Sequence, residues 1–280
     1  SQPGPGEPFS VMTEVAGCPW NPSHQLVHIG IQGRKISSEN VPARNLVFLL
    51  DVSGSMGSVR KLPLLKSAMS LLVENLRAED RVAIVVYAGA SGLVLPSTPC
   101  ARKQEILGAL EQLHAGGSTN GGAGIALAYS VVQEQFIDGG VNRVILCTDG
   151  DFNVGTTSKE ALVSLIEARR QSGVFLSVLG FGSGNWSDER MEELSNHGNG
   201  NAAYIDSLAE ARRVLVEQVG GTLVTVASDV KIQVEFNPAR VGAYRLIGYA
   251  NRMLAAEDFN DDTKDAGEIG AGHTVTALYE

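Results

Sequence analysis

The sequence predicts an α/β fold, in which a doubly wound, mostly parallel sheet is inserted into a smaller antiparallel β-sandwich formed by both termini. From about residue 44 to 220, buried-strand patterns alternate with amphipathic-helix patterns, and this alternation produces a parallel sheet with helices on both faces. Before and after this region, apolar residues alternate with polar or small ones, as in half-buried antiparallel strands. The chain has 280 residues, of which 44% are hydrophobic, so it is long and apolar enough to bury a full core.

These patterns divide the chain into three segments. Residues 1–43 supply N-terminal strands of the sandwich, residues 44–220 form the α/β domain, and residues 221–280 supply C-terminal strands of the sandwich, which we do not expect this segment to complete. In the first segment, residues 9–15 and 26–33 have the period of antiparallel strands, and the prolines between them mark a turn. A lone hairpin is only marginally stable, so we expect its partners to come from the C-terminal segment.

The first strand of the α/β domain ends in a polar turn. After the apolar run Leu46–Leu50 come Asp51, Ser53 and Ser55. Ligands bind at the carboxyl ends of strands in open α/β sheets, and an all-oxygen set favours Mg²⁺, Mn²⁺ or Ca²⁺. The alternative is a helix cap, because Ser and Asp are favoured there.

Two later segments favour the metal site. A Gly-rich loop at residues 116–122 precedes a helix predicted at 123–136 and places the hydroxyl of Thr119 at the helix start. A second buried strand, residues 142–148, ends at Asp149. If that strand neighbours the first, Asp149 lies beside the turn at Asp51.

The remaining elements follow from the same patterns. Apolar residues at helical spacing predict further helices, and apolar or alternating runs predict further strands. The predicted helices are 61–76, 103–113, 159–171, 188–196 and 208–219, and the predicted strands are 81–88, 93–96, 174–182, 222–227, 230–236, 245–249 and 273–279.

Composition excludes some classes of function. The net charge is −9, and no cluster of Lys and Arg is present to displace counterions from phosphates, so we expect no nucleic-acid partner. No apolar run approaches the length of about 20 residues that a membrane-spanning helix requires, so we expect no membrane insertion. The three cysteines cannot all pair, and the sequence does not decide whether Cys18 and Cys100 form a disulfide.

The polar residues of the α/β domain resemble those of the von Willebrand factor type A (VWA) family. The metal-ion-dependent adhesion site (MIDAS) of that family reads Asp-x-Ser-x-Ser, then Thr, then Asp, and the matching residues here are Asp51, Ser53, Ser55, Thr119 and Asp149. The resemblance implies a Rossmann-like VWA fold and one bound ion, Mg²⁺ or alternatively Mn²⁺ or Ca²⁺. By this resemblance Ser53, Ser55 and, in many members of the family, the residue at Thr119 contact the ion, and the two aspartates bind it directly or through water.

The resemblance also implies a function. The site would capture an Asp or Glu carboxylate of a partner protein, which makes the chain a metal-dependent binding or adhesion module and not an enzyme. The competing hypothesis is a scaffolding domain of an envelope assembly, in which the metal only stabilises the fold. Bacterial relatives of this type are often exported, so the resemblance favours a periplasmic or cell-surface location.

Hydrolase motifs are missing from the sequence. A phosphoaspartate-forming phosphatase needs a second acid two residues after the first, where this chain has Ser53. The Gly-rich loop lacks the lysine of a P-loop, and neither serine of the turn lies in a Gly-x-Ser-x-Gly elbow. We therefore expect no catalytic residues.

Overall fold

The structure is a computed structural model that describes residues 2–36, 41–117, 121–150, 158–182, 188–218, 224–248, 259 and 267–280. The chain divides into two compact units. One contains residues 1–41 and 221–280, and the other contains residues 42–220.

The helices and strands follow one another along the chain in a largely alternating order. The strands of the described residues are β1 (Phe9–Gly17), β2 (Gln25–Gly33), β3 (Arg44–Asp51), β4 (Arg81–Tyr87), β5 (Ser91–Pro99), β6 (Val141–Thr148), β7 (Val174–Phe181), β8 (Ala202–Ile205), β9 (Thr225–Val230), β10 (Leu246–Ile247), β11 (Gly267–Gly270) and β12 (Thr274–Tyr279). The α-helices are α1 (Leu62–Asn75), α2 (Lys103–Glu111), α3 (Gly121–Glu134), α4 (Lys159–Gln171), α5 (Asp188–His197) and α6 (Leu208–Arg212), and short 3₁₀ turns occupy Gly54–Gly57 and Cys100–Arg102.

The larger unit contains a six-stranded sheet of order β5-β4-β3-β6-β7-β8. All neighbouring pairs are parallel except β4 and β5. Every residue of β3 and β6 is buried, as expected for central strands covered on both faces. Together with the antiparallel sheets of the terminal segments, this sheet confirms the predicted fold class.

Strand register brings the two aspartates to one edge of the sheet. Asp51 pairs with Tyr87 of β4, and Leu50 pairs with Cys147 of β6. Asp149 directly follows the last residue of β6. The two carboxylates therefore lie at the carboxyl ends of adjacent parallel strands.

Helix α3 packs against the sheet at a glycine. A Cβ added at Gly124 would lie 2.9 Å from Cβ of Tyr87 and 3.1 Å from Cδ1 of Leu49. The glycines at the start of α3 thus allow the helix to lie directly on β3 and β4, close to the edge where Asp51 lies.

The opposite edge of the sheet carries a buried ionic cluster around Asp80, whose side chain is fully buried. Asp80 accepts hydrogen bonds from the backbone N–H groups of Arg44 at 2.9 Å and Arg77 at 2.8 Å. The guanidinium groups of the same arginines lie 3.7 and 3.5 Å from its carboxylate oxygens. This cluster ties the first residue of β3 to the loop before β4.

The terminal unit contains a four-stranded antiparallel sheet of order β1-β2-β12-β10 and a two-stranded sheet of β9 and β11. Ile29, Ile31 and Ile269 are buried. The strand predicted at residues 230–236 is wrong, because β9 ends at Val230 and the following residues form no strand. Phe236 packs instead against the rings of Tyr244 and Tyr279, with centroid distances of 4.6 and 5.4 Å.

Some other predicted boundaries also differ. The helix predicted at 208–219 is an α-helix only to Arg212 and continues as a π-helix over Arg213–Gln218. Strands β8 and β11 were not predicted, since each has only four residues.

The three cysteines are buried free thiols, so Cys18 and Cys100 do not form the disulfide that the sequence left undecided. In the part of the chain that the structure describes, no helix combines the length and the apolar character needed to span a bilayer.

Glu280 connects distant parts of the terminal unit through ionic contacts. Its carboxylate lies 2.7 Å from Nδ1 of His24 and accepts a hydrogen bond of 2.9 Å from Nε of Arg245. These two partners lower the pKa of Glu280 from 4.5 to about 2. The carboxylate is therefore stabilised in the charged form in the folded state.

We expect Glu280→Gln to lower the melting temperature at neutral pH. Because the folded-state pKa lies below that of the unfolded chain, the stabilisation is complete above the unfolded pKa and is lost as pH falls through the folded pKa. The difference between parent and variant should thus shrink from pH 4.5 towards about 2. Thermal melts across this range test it, with the exposed Glu235→Gln as control. A difference that is constant with pH would contradict the expectation.

Candidate metal centre

The turn after β3 presents two hydroxyls side by side. Oγ of Ser53 and Oγ of Ser55 lie 3.1 Å apart. Ser53 is buried and Ser55 is exposed, so the pair lies at the boundary between core and solvent. The side chain of Met56 is fully buried, and its backbone N–H donates to the carbonyl of Ser53 at 3.0 Å. The buried methionine holds the 3₁₀ turn that presents the hydroxyls.

Asp51 is fully buried beneath this turn. Its Oδ1 accepts a hydrogen bond from the backbone N–H of Ser53 at 2.8 Å, whereas its Oδ2 is buried without a hydrogen-bond partner among the described residues. Burial raises the pKa of Asp51, hydrogen bonds from Ser53 oppose this effect, the negative charge of Asp149 raises the pKa further, and the neighbouring Tyr87 hydroxyl lowers it. Such an orphaned carboxylate oxygen is costly in a fold unless a cation or donor satisfies it.

The Gly-rich loop lies against the same turn. The N–H of Gly116 donates to the carbonyl of Val52 at 2.7 Å, and the N–H of Gly54 donates to the carbonyl of Gly117 at 3.0 Å. Gly117 has a φ of 84°, a conformation that side chains with a Cβ rarely adopt. The loop therefore reaches the turn at Gly117, and Thr119, two residues further on, lies outside the described residues.

Asp149 is paired with a lysine. Nζ of Lys61 lies 2.7 Å from Oδ2 of Asp149, and the side chain of Asp149 is only 3% exposed. The stem of the lysine crosses Gly182, where an added Cβ would lie 3.2 Å from Cε and 3.3 Å from Cγ of Lys61. The ammonium group therefore reaches Asp149 along a path that a side chain at position 182 would obstruct.

The described donors fit a hard divalent cation. Two carboxylates and two hydroxyls lie at one edge of the sheet, and Oδ2 of Asp51 has no hydrogen-bond partner within the described ranges. Oxygen donors of this kind suit Mg²⁺, Mn²⁺ and Ca²⁺. Within the described part of the chain, no group of three or more His, Cys, Asp or Glu side chains is arranged to hold a metal ion.

Sequence reasoning missed Lys61 and Tyr87. Tyr87 is fully buried beside Asp51 in the register of β3 and β4. Burial raises the pKa of Tyr87, and the negative charge of Asp51 raises it further. Lys61 is the N-cap residue of α1. The helix dipole disfavours a cation at a helix N-terminus. A lysine at the start of a predicted helix could therefore have indicated an anion nearby.

Comparison with known families identifies the larger unit. The sequence model of the von Willebrand factor type A domain matches residues 45–219. The chain belongs to this family. Residues 221–280 match a second family model, described as the C-terminal part of the uncharacterized protein YfbK.

Individual relatives cover both units. The chain is 49% identical over 273 residues to the uncharacterized protein YfbK of Escherichia coli K12, which covers 98% of this chain and 48% of that protein. The chain thus spans about half the length of this relative.

Two solved structures share the fold over 97% of this chain. The first is a von Willebrand factor type A protein from Catenulispora acidiphila, with 16% identity, a TM-score of 0.59 and 63% of that chain covered. The second is the pilus adhesin SpaC from Lactobacillus rhamnosus GG, with 15% identity, a TM-score of 0.51 and 43% of that chain covered. At these identities the likeness concerns the fold alone.

Proposed function

We propose that this VWA chain binds one divalent cation at Asp51, Ser53, Ser55, Thr119 and Asp149, and that it uses the bound ion to capture a carboxylate of a partner protein. Membership of the family supports a role in protein interaction or adhesion. Mg²⁺ is the expected ion.

The observation that carries the proposal is the buried Oδ2 of Asp51. This oxygen is buried without a hydrogen-bond partner among the described residues, and the turn that follows Asp51 presents two hydroxyls 3.1 Å apart. A helix cap alone does not explain the burial of Oδ2, because Oδ1 of the same carboxylate already accepts a hydrogen bond from the backbone N–H of Ser53. A cation at this position would satisfy Oδ2 and draw on the hydroxyls as well.

The hydroxyls and the carboxylates of the proposed site would have different roles in binding the ion. Ser53, Ser55 and Thr119 would supply neutral oxygen ligands, and Asp51 and Asp149 would supply negative charge from the core side. Because the hydroxyls are uncharged, the bound ion would keep net positive charge and an exchangeable position for a carboxylate. The exposure of Ser55 leaves access from solvent on that side, where surrounding loops would provide specificity.

The first test is calorimetric titration of Mg²⁺, Mn²⁺ and Ca²⁺ into protein treated with a chelator. We expect one ion per parent chain and no measurable binding to the double variant Thr119→Ala, Asp149→Ala, because it lacks one hydroxyl and one carboxylate. The matched control is Thr13→Ala, Asp206→Ala. It removes two exposed groups, one of which follows β8 at the same edge of the sheet. Equal affinity in the parent and the double variant would contradict the proposed site.

The second test asks whether the bound ion accepts a carboxylate. Mn²⁺ bound to the protein enhances water-proton relaxation through its exchangeable water. Acetate should displace that water and reduce the enhancement, whereas acetamide, which has the same shape but no charge, should leave it nearly unchanged. If neither compound has an effect while chelation lowers the melting temperature, the metal is structural, as the scaffolding hypothesis states.

A further inference from the structure

Lys61 occupies a position that general helix physics disfavours. It is the N-cap residue of α1, where the partial positive charge of the helix repels cations and attracts anions. Its side chain supplies no cap hydrogen bond. The helix dipole disfavours an ammonium group at this end of a helix, and the carboxylate of Asp149, 2.7 Å away, offsets that effect.

The path of the lysine side chain is also constrained. The stem lies against Gly182, whose φ of 128° disfavours any side chain, and a Cβ added there would lie 3.2 Å from Cε and 3.3 Å from Cγ of Lys61, so the stem would have to shift. The side chain of Lys61 is 26% exposed, whereas the side chain of Asp149 is 3% exposed. The lysine therefore covers the carboxylate from the solvent side.

We infer that Lys61 is the built-in counter-ion of Asp149, and that it weakens the binding of a divalent cation at this site by electrostatic competition. This inference rests on the proposed function, because it concerns the same metal centre. When no divalent ion is bound, the ammonium group compensates the charge of Asp149. When an ion enters, the lysine either moves away from Asp149 or remains as a repelling charge, and in both cases the affinity is lower than the carboxylates alone would give.

Competition of this kind would suit a reversible adhesion site. Two nearly buried carboxylates with no counter-ion would destabilise the fold in the absence of metal and would hold the metal tightly in its presence. With Lys61 in place, the chain keeps its fold without metal, and occupancy depends on the concentration of the divalent ion.

The test compares calorimetric Mg²⁺ titrations of the parent and two variants at position 61. Lys61→Met keeps the stem that contacts Gly182 but removes the charge, and we expect its affinity for Mg²⁺ to be about tenfold or more above that of the parent. Its melting temperature after chelation should be lower by several degrees, and Mg²⁺ should restore it. Lys61→Arg keeps a permanent cation and should resemble the parent in both measurements.

The control is Lys66→Met on the same helix. Lys66 donates to the backbone carbonyls of Glu111 and Leu113 at 2.6 and 3.2 Å and not to a carboxylate, so its loss removes one positive charge without touching Asp149. We expect the Mg²⁺ affinity of this variant to be within about twofold of the parent.

The outcomes separate this inference from the proposed function. If the parent binds Mg²⁺ and Lys61→Met binds it equally or more weakly, the inferred competition by Lys61 is wrong, whereas the proposed metal site is supported. Equal tightening by Lys66→Met would likewise overturn a specific role for Lys61. If neither the parent nor Lys61→Met binds Mg²⁺, the proposed metal site fails, and the inference fails with it.

Discussion

Asp51→Asn should abolish divalent-ion binding while leaving the protein folded. We expect an affinity loss of at least about 100-fold, because losses of about 10–100-fold are typical when only an outer-shell partner of a metal is removed. The variant keeps an acceptor for the backbone N–H of Ser53, which now bonds to Oδ1 at 2.8 Å. It removes the negative charge from the most buried part of the proposed site.

The same substitution should raise the stability of the chelator-treated protein. Burial and the charge of Asp149 raise the pKa of Asp51, so ionisation of this carboxyl is less favourable in the folded state than in the unfolded chain. A raised folded-state pKa means that stability is complete below the unfolded pKa and is lost as pH rises through the folded pKa. The advantage of the Asn variant should therefore appear at neutral pH and disappear in acid.

Two measurements check this prediction. Titration of Mg²⁺ reports the loss of binding, and thermal melts with chelator at several pH values report the stability difference. Asp206→Asn, an exposed aspartate that follows β8 at the same edge, is the control and should change neither quantity appreciably. A variant that melts well below the parent with chelator present would show that the Asp51 carboxylate has a structural partner that the metal hypothesis does not include.

Asp80→Ala should produce a large stability loss that leaves the metal centre unchanged. The substitution removes the acceptor of two backbone N–H groups and the counter-ion of Arg44. Burial lowers the pKa of Arg44 and the charge of Asp80 opposes that effect. An arginine left in the core without its carboxylate costs about 3–5 kcal/mol of unfolding free energy.

Urea unfolding followed by the circular dichroism of the helices measures this loss. All α-helices of the described residues lie in the larger unit, so the signal reports the unit that contains Asp80. The control is Glu79→Ala, which removes the neighbouring acid, a 54% exposed side chain paired with Arg77, and should cost less than about 1 kcal/mol. Similar losses in the two variants would contradict the assigned role of Asp80. Mg²⁺ affinity measured on folded Asp80→Ala should match the parent, since the cluster lies at the opposite end of β3.

Local sequence was sufficient to predict several features of the candidate site. The apolar run before Asp51 marks a buried strand, and the small polar residues after it mark a turn, because both properties depend on neighbouring residues in the chain. The same holds for α4, which is predicted and observed at Lys159–Gln171. Short elements without a clear period, such as β8, were missed.

Alternation of apolar and polar residues also predicted a strand that does not form. Residues 231–236 have the period of a strand, yet they pair with no other strand among the described residues. A strand requires a partner to satisfy its backbone groups, and the partner of β9 is β11, which ends its pairing at Val230. The contact of Phe236 with Tyr244 and Tyr279 leaves this apolar side chain half-buried outside a sheet.

The sequence by itself determined the fold class and the candidate ligands Asp51, Ser53 and Ser55, since periodicity and close spacing are local properties. Tertiary structure decided which strands are neighbours, and therefore that Asp51 and Asp149 share one edge of the sheet. It also decided the role of Lys61, whose long side chain reaches Asp149 only because α1, β6 and β7 meet there. Contacts between residues distant in sequence depend on the packing of whole elements, and the pattern within any one element does not contain that information.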